Sequence, residues 1–202
     1  MFYVFLTSLL RDGYRTLFEH GIVTYLEIAA DFKGVAVQDL FVFDDTLINT
    51  NIIPAHPKPT QTIYIGHRKH SRRRFCIYDK ASQLQKLRIM TDGDWTRIES
   101  RLRYTGLHTF ELNQLANPFL SLRVCSQIHA LQLFSSKSWR DFTLECERSG
   151  AHAALQKFSP ARKKQHMGYL NRAACKWWIP HAFWGLWEPA LTVVSPRAEF
   201  AI

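Results

Sequence analysis

The residue best placed by type and spacing to act as a nucleophile is Tyr78. The run Arg74–Lys80 alternates, with Phe75 and Ile77 on one side and Arg74, Cys76, Tyr78 and Lys80 on the other. A strand that sends Phe75 and Ile77 into a core projects Tyr78 from the opposite face, beside Arg74 and Lys80. A phenol ionises at a pKa of about 10, so its attack on a phosphate needs a base, a cation or a metal nearby. Cations there would also stabilise the charge that develops on the phosphate oxygens. The plain alternative is an ordinary strand tyrosine, a residue that strands favour.

Three carboxylates could serve the same chemistry. Glu27 and Asp31 share one face of an alternating run over 22–32, with Leu26, Ile28 and Ala30 on the other. Glu99 shares a face with Arg97, Arg101 and Arg103 in the run Trp95–Tyr104, opposite Ile98, Leu102 and Tyr104. Carboxylates on neighbouring strands hold Mg²⁺ or Mn²⁺ through hard oxygen ligands, and such an ion polarises a phosphate. Residues four apart in a regular strand are about 13 Å apart, so Glu27 and Asp31 cannot share one ion without a bulge. Glu27 with Glu99 is the favoured pair, with Asp31 a weaker candidate. Solvated or salt-bridged strand carboxylates are the plain alternative.

Charge is unevenly spread along the chain. The total is +9, yet residues 1–57 carry 3 Lys/Arg against 7 Asp/Glu, residues 58–139 carry 14 against 5, and residues 140–202 carry 9 against 5. Five of the basic residues, Arg68, Lys69, Arg72, Arg73 and Arg74, lie within residues 68–74. That density suits phosphate-backbone contact by Coulomb steering and counterion release. A solvated turn would use the same residue types.

The elements that must position these groups can be read coarsely. Leu6, Leu9, Leu10, Leu17 and Phe18 trace a helical stripe over 6–20, and 22–32 reads as a strand. Residues 44–60, with Pro54, Pro57 and Pro59, read as loop. Gln61–Gly66 and Arg74–Lys80 form a hairpin around a basic loop, which places the loop close to Tyr78. Leu112–Phe134 is mixed and partly helical, and residues 150–176 are helical and basic. Trp177, Trp178, Trp184 and Trp187 cluster in the tail, where they could stack bases but suit closing a core better. The expected fold is α+β, an antiparallel sheet flanked by helices.

Composition fits a globular chain, with 47% hydrophobic and 21% charged residues. Cys76, Cys125, Cys146 and Cys175 lack C-x-x-C spacing, which argues against a zinc ribbon and for free thiols in a reducing cytoplasm. The apolar opening Met1–Leu6 lacks a basic n-region and is far short of the roughly 18 residues of a membrane span. A cytoplasmic protein without membrane attachment is therefore expected. No Gly-rich phosphate loop and no H-x-H pair occurs, which counts against nucleotide hydrolysis and against two-histidine nicking enzymes.

Four segments together resemble the replication-initiation factor family (Rep_trans), which includes rolling-circle plasmid initiators and related relaxases. They are Tyr25–Asp31, Thr62–Ser71, Arg74–Lys80 and Trp95–Arg103, in the family's order and spread over roughly residues 20–125. Tyr25 stands where the family motif has arginine, and Glu27 where it has aspartate. Ala81-Ser82-Gln83 follows Lys80 where an acid is common in the family. The resemblance implies that Tyr78 is a DNA-nicking tyrosine, with Lys80 and Arg97 at basic catalytic positions. It implies a metal-associated set of Glu27, Asp31 and Glu99 with Mg²⁺ or Mn²⁺ as cofactor. DNA contacts are expected from Arg68, Lys69, Arg72, Arg73, Arg74 and Arg101. The reaction would be transesterification, giving a 5′-phosphotyrosine link and a free 3′-hydroxyl.

The partners so implied are single-stranded or origin DNA, with a host helicase and a second copy of the chain as further candidates. The expected organisation is a relaxase-like nicking domain over 1–135, shortened at its N-terminus, and a helical, Trp-rich extension over 136–202. The rival reading is a non-catalytic DNA-binding protein, a truncated or decayed initiator or regulator that keeps the basic face.

Overall fold

The computed structural model describes residues 20–47, 49–53, 62–134 and 136–194, without the side chains of 105 and 192–194. The expected helical stripe over 6–20 lies, His20 apart, outside the described residues. Seven strands are described: β1 (Ile22–Lys33), β2 (Leu40–Asp44), β3 (Thr50–Ile53), β4 (Thr62–Ile65), β5 (Arg73–Asp79), β6 (Trp95–His108) and β7 (Leu122–Ser126). The described helices are α1 (Lys80–Lys86), α2 (Gln127–Leu133), α3 (Lys137–Ser149), α4 (Ala151–Gln156), α5 (Pro160–Arg172), α6 (Pro180–Trp184) and α7 (Trp187–Val194).

Five strands form an antiparallel sheet in the order β1-β6-β5-β4-β3. The two longest alternating runs pair with each other, from Ile22 opposite His108 to Lys33 opposite Trp95, with an irregularity between Val23 and Tyr25. The β4–β5 hairpin forms as the sequence predicts. Gly66, at φ +96, leaves β4 there, and a Cβ on it would stand 3.0 Å from the Arg73 carbonyl oxygen. Within 44–60, read as loop, Thr50–Ile53 instead forms the edge strand β3 against β4. Four residues are too few to show a periodicity.

Alternation gives the sheet two unlike faces. Ile63, Ile65, Phe75, Ile77 and Ile98 point to one side and are buried. Full burial of each contributes roughly 2 kcal/mol. That side packs on a ribbon made of β2 and β7, which is itself buried between two cores. Leu40, Val42, Leu122 and Val124 face the large sheet. Phe41, Phe43 and Cys125 face Trp139, Phe142, Ala154 and Leu170 from the helices. The continuous apolar run Leu40–Phe43 is the signature of a strand covered on both sides.

The tail turns back onto the sheet core. Phe32 lies 4.5 Å from Trp177 between ring centroids, and Trp178 Nε1 donates to the Leu122 carbonyl at 2.9 Å. The helices beyond residue 135 thus cover β2 and β7, while the tail tryptophans Trp177, Trp178 and Trp184 join the core of the strands. Among the described residues no helix is long and apolar enough to cross a membrane. The four cysteines are free and buried.

Candidate active site

The opposite, polar face of the large sheet gathers the candidate residues into three rows set by strand register, because directly opposed residues point the same way. One row runs Asp31, Arg97, Tyr78, Thr62 and Ile53. The next runs Ala29, Glu99, Cys76, Tyr64 and Asn51. A third holds Glu27, Arg101 and Arg74. β5 and β6 are central, so Tyr78 and Glu99 are flanked by paired strands that fix their backbones.

At the centre, the Tyr78 hydroxyl donates to Glu99 Oε1 at 2.7 Å. Glu99 is only 5% exposed, and its second oxygen accepts from Arg101 Nη2 at 2.8 Å and Nε at 3.1 Å. Arg101 Nε also meets Glu27 Oε1 at 3.0 Å, and the Tyr25 hydroxyl donates to that same oxygen at 2.5 Å. Arg97 holds both oxygens of Asp31, each at 2.6 Å. Burial, and then the Glu99 carboxylate beside it, push the Tyr78 phenol well above its ordinary pKa, against the opposing charge of Arg97. Burial raises Cys76 to about 11. The Tyr78 phenol therefore keeps its proton at neutral pH until a base takes it, and Glu99 Oε1 already receives that hydrogen.

The expected metal set is only partly assembled. Asp31 is committed to Arg97, and no group of three or more His, Cys, Asp or Glu side chains converges on one point among the described residues. Glu27 and Glu99 do converge, on the guanidinium of Arg101. Mg²⁺ is commonly held by one or two carboxylates with waters and substrate phosphate. In the structure the oxygens that such an ion would use are held by the Arg101 guanidinium.

Several placements depart from the sequence reading. Lys80 is not on the strand face. It opens α1, where Asp79 caps the helix by accepting from Ser82 N at 2.8 Å, and its Nζ donates to Gln83 Oε1 at 2.6 Å. The basic loop is not beside Tyr78. Tyr78 pairs with Thr62 at the far end of the hairpin, and even Arg74 is about 13 Å away along β5. Arg68, Lys69 and Arg72 are exposed there, while Arg74 lies over the Tyr64 ring at 5.2 Å.

Arg73 points to the core face, opposite Leu102, and Nη2 reaches the fully buried Asp44 at 3.3 Å. Asp44 also accepts from Thr46 N at 2.9 Å, Leu47 N at 2.8 Å and the Ser121 hydroxyl. Burial raises its proton affinity, but the hydrogen bonds from Ser121, Thr46 and Leu47 together hold the carboxyl below its ordinary range. The role of Arg101 as the hub of two carboxylates was not legible from its own strand alone. The role of Tyr25 follows from its two-residue spacing to Glu27, which puts both on one face.

The fold and site define an α+β protein with an antiparallel sheet whose polar face carries a tyrosine–glutamate pair enclosed by arginines. No family model matches the chain, and no curated protein matches it. Among solved structures, a rolling-circle replication initiator protein from Geobacillus stearothermophilus is similar at 18% identity with a TM-score of 0.32. That match covers 68% of this chain and 61% of the other, and at this score it is too slight to argue from.

Proposed function

We propose that the chain nicks single-stranded DNA by tyrosine transesterification, as a replication initiator or relaxase does. The observation that carries this reading is the Tyr78–Glu99 hydrogen bond, set on the polar sheet face between the rows of Arg97 and Arg101. Glu99 Oε1 accepts the phenolic proton as the Tyr78 oxygen bonds to phosphorus. The P–O3′ bond breaks, the 3′ oxygen leaves and is protonated by water, and the phosphate stays on Tyr78 as a 5′-phosphotyrosine. Arg97, locked by Asp31, presents a fixed positive charge to the phosphate oxygens. Lys80 stands at the N-terminus of α1, two residues on from Tyr78, where it supports strand placement. Glu27 and Glu99 Oε2 would hold a divalent ion in place of the Arg101 guanidinium. When bound, the ion neutralises phosphate charge.

The test is incubation of the purified chain with supercoiled plasmid and Mg²⁺ or Mn²⁺, followed by denaturing electrophoresis. Nicked circles and a covalent protein–DNA species are the expected result. Salt-sensitive binding with neither product would establish the non-catalytic DNA-binding protein instead.

A further inference from the structure

A second feature lies at the other end of β6. β5 begins at Arg73, but β6 runs on to His108 with only β1 beside it. The last link between β5 and β6 is Arg103 N–H to the Arg72 carbonyl, 2.8 Å. Beyond it the chain turns into a short 3₁₀ segment, Thr109–Gln114, whose Glu111 accepts from His108 N at 2.8 Å. The angle between these parts encloses a cleft of about 370 Å³. Ligand pockets commonly measure about 300–1,000 Å³.

The lining has two parts. Arg72 and Arg103 stand exposed, and the structure gives neither side chain an ion-pair partner among the described residues. Arg73, which also borders the cleft, is spent on Asp44, and Glu111 is spent on the helix start. Half-buried Tyr104 and Leu107, with the buried Leu102 behind, supply an aromatic and aliphatic wall. Free guanidiniums beside an aromatic wall match a phosphate next to a base.

The position relates the cleft to the site already described. Arg97, Glu99, Arg101 and Arg103 alternate along the polar face of β6, whereas Leu102 lies on the core side, so the cleft sits at the free edge of β6 where the two faces meet. Arg103 is six residues from Arg97, about 20 Å along the strand. That distance is several nucleotides of an extended strand.

We infer that this cleft is a nucleotide subsite for single-stranded DNA, holding one base against Tyr104 and its phosphate on Arg72 and Arg103, several nucleotides from the bond that Tyr78 attacks. The inference rests on the nicking reading for the register of the strand, but not for the binding itself. It makes the protein a reader of extended single strands, anchored at two points along β6.

An abasic scan tests it. Fluorescent single-stranded oligonucleotides, each lacking one base in turn, are titrated against the full chain by anisotropy. One position should stand out, with affinity about tenfold weaker. Arg103→Ala should weaken binding of the intact strand and erase the difference at that position, while Arg103→Lys should restore part of the affinity. A flat scan, or an equal dip in wild type and Arg103→Ala, overturns the subsite. Equal binding of an oligoribonucleotide of the same sequence overturns its assignment to DNA, and full competition by a free mononucleotide overturns its assignment to a strand. A clear dip without any covalent adduct would leave the subsite standing and defeat the nicking reading. An adduct with a flat scan would do the reverse.

Discussion

Arg72, Arg73 and Arg74 are consecutive, yet strand parity divides their work. Arg74 lies on the polar face in the row of Arg101, and Arg72 is exposed at the hairpin loop. Arg73 is turned to the core face against Asp44, which is 0% exposed. Removing Arg73 leaves a buried carboxylate short of one charged donor, although its bonds from Thr46, Leu47 and Ser121 remain. Arg73→Ala should therefore cost roughly 1–3 kcal/mol of stability, while Arg72→Ala and Arg74→Ala should stay within about 0.5 kcal/mol. Urea denaturation of the three variants gives these values directly. Arg74→Ala should instead reduce the slope of log K against log salt for single-stranded DNA by about 0.7 if it holds one phosphate. Wild-type stability in Arg73→Ala would show that Asp44 does not depend on it.

Glu99 is the other residue whose partner decides its role. The sequence placed it on the right face, but which atom faces Tyr78 depends on the pairing of β5 with β6, which joins residues 21 apart in the chain. Glu99→Gln keeps the shape and removes the charge that holds the phenol up. The Tyr78 pKa should fall, which ultraviolet titration of the phenolate reads. Adduct formation should drop at least about a hundredfold because the proton acceptor is gone. Unchanged titration and unchanged adduct rate would remove Glu99 from the site.

At the scale of elements, the alternating runs were legible because period-two patterns over seven residues or more leave little choice of face. β1, β5 and β6 therefore stood out, and with them the rows that carry Glu27, Tyr78 and Glu99. The misplaced basic loop came from treating a hairpin as compact, when five residues of strand separate its loop from Tyr78. β3 and β2 were illegible for opposite reasons. Thr50–Ile53 is too short, and Leu40–Phe43, apolar throughout because both its faces are buried, has no alternation to tell it from a buried helix segment.

The junction of α3 and α4 gives a prediction at this scale. Gly150 adopts φ +84, and an added Cβ would meet Thr50 Cγ2 of β3 at 2.5 Å. Backbone strain and overpacking act together there, so Gly150→Ala should lose roughly 1–3 kcal/mol by chemical denaturation. A loss below about 0.5 kcal/mol would mean that the helices pack more loosely on β3 than described.

At the scale of the whole molecule, three layers divide the labour. The helices and the β2–β7 ribbon bury one side of the large sheet and leave its other face to polar residues. The middle of the chain carries the surplus positive charge, and those residues supply β5, β6 and the loop between β4 and β5. On the polar face Arg97 and Arg101 are matched by Asp31, Glu27 and Glu99, so the surplus that would steer a polyanion comes from the exposed Arg68, Lys69, Arg72 and Arg103. The total charge was legible from composition alone. Which arginines are spent on carboxylates was not, because that depends on the parity of each arginine in its strand.

The central claim is that the Tyr78 oxygen becomes covalently bound to DNA. The direct measurement is mass spectrometry of the protein after reaction with single-stranded or supercoiled DNA and nuclease trimming, for wild type and Tyr78→Phe. The account predicts a nucleotide phosphate on the peptide containing Tyr78, absent from Tyr78→Phe, which should still bind DNA with near wild-type affinity because only one oxygen is removed. An adduct on another residue, such as Tyr64, or an adduct that persists in Tyr78→Phe at the wild-type rate, would contradict it.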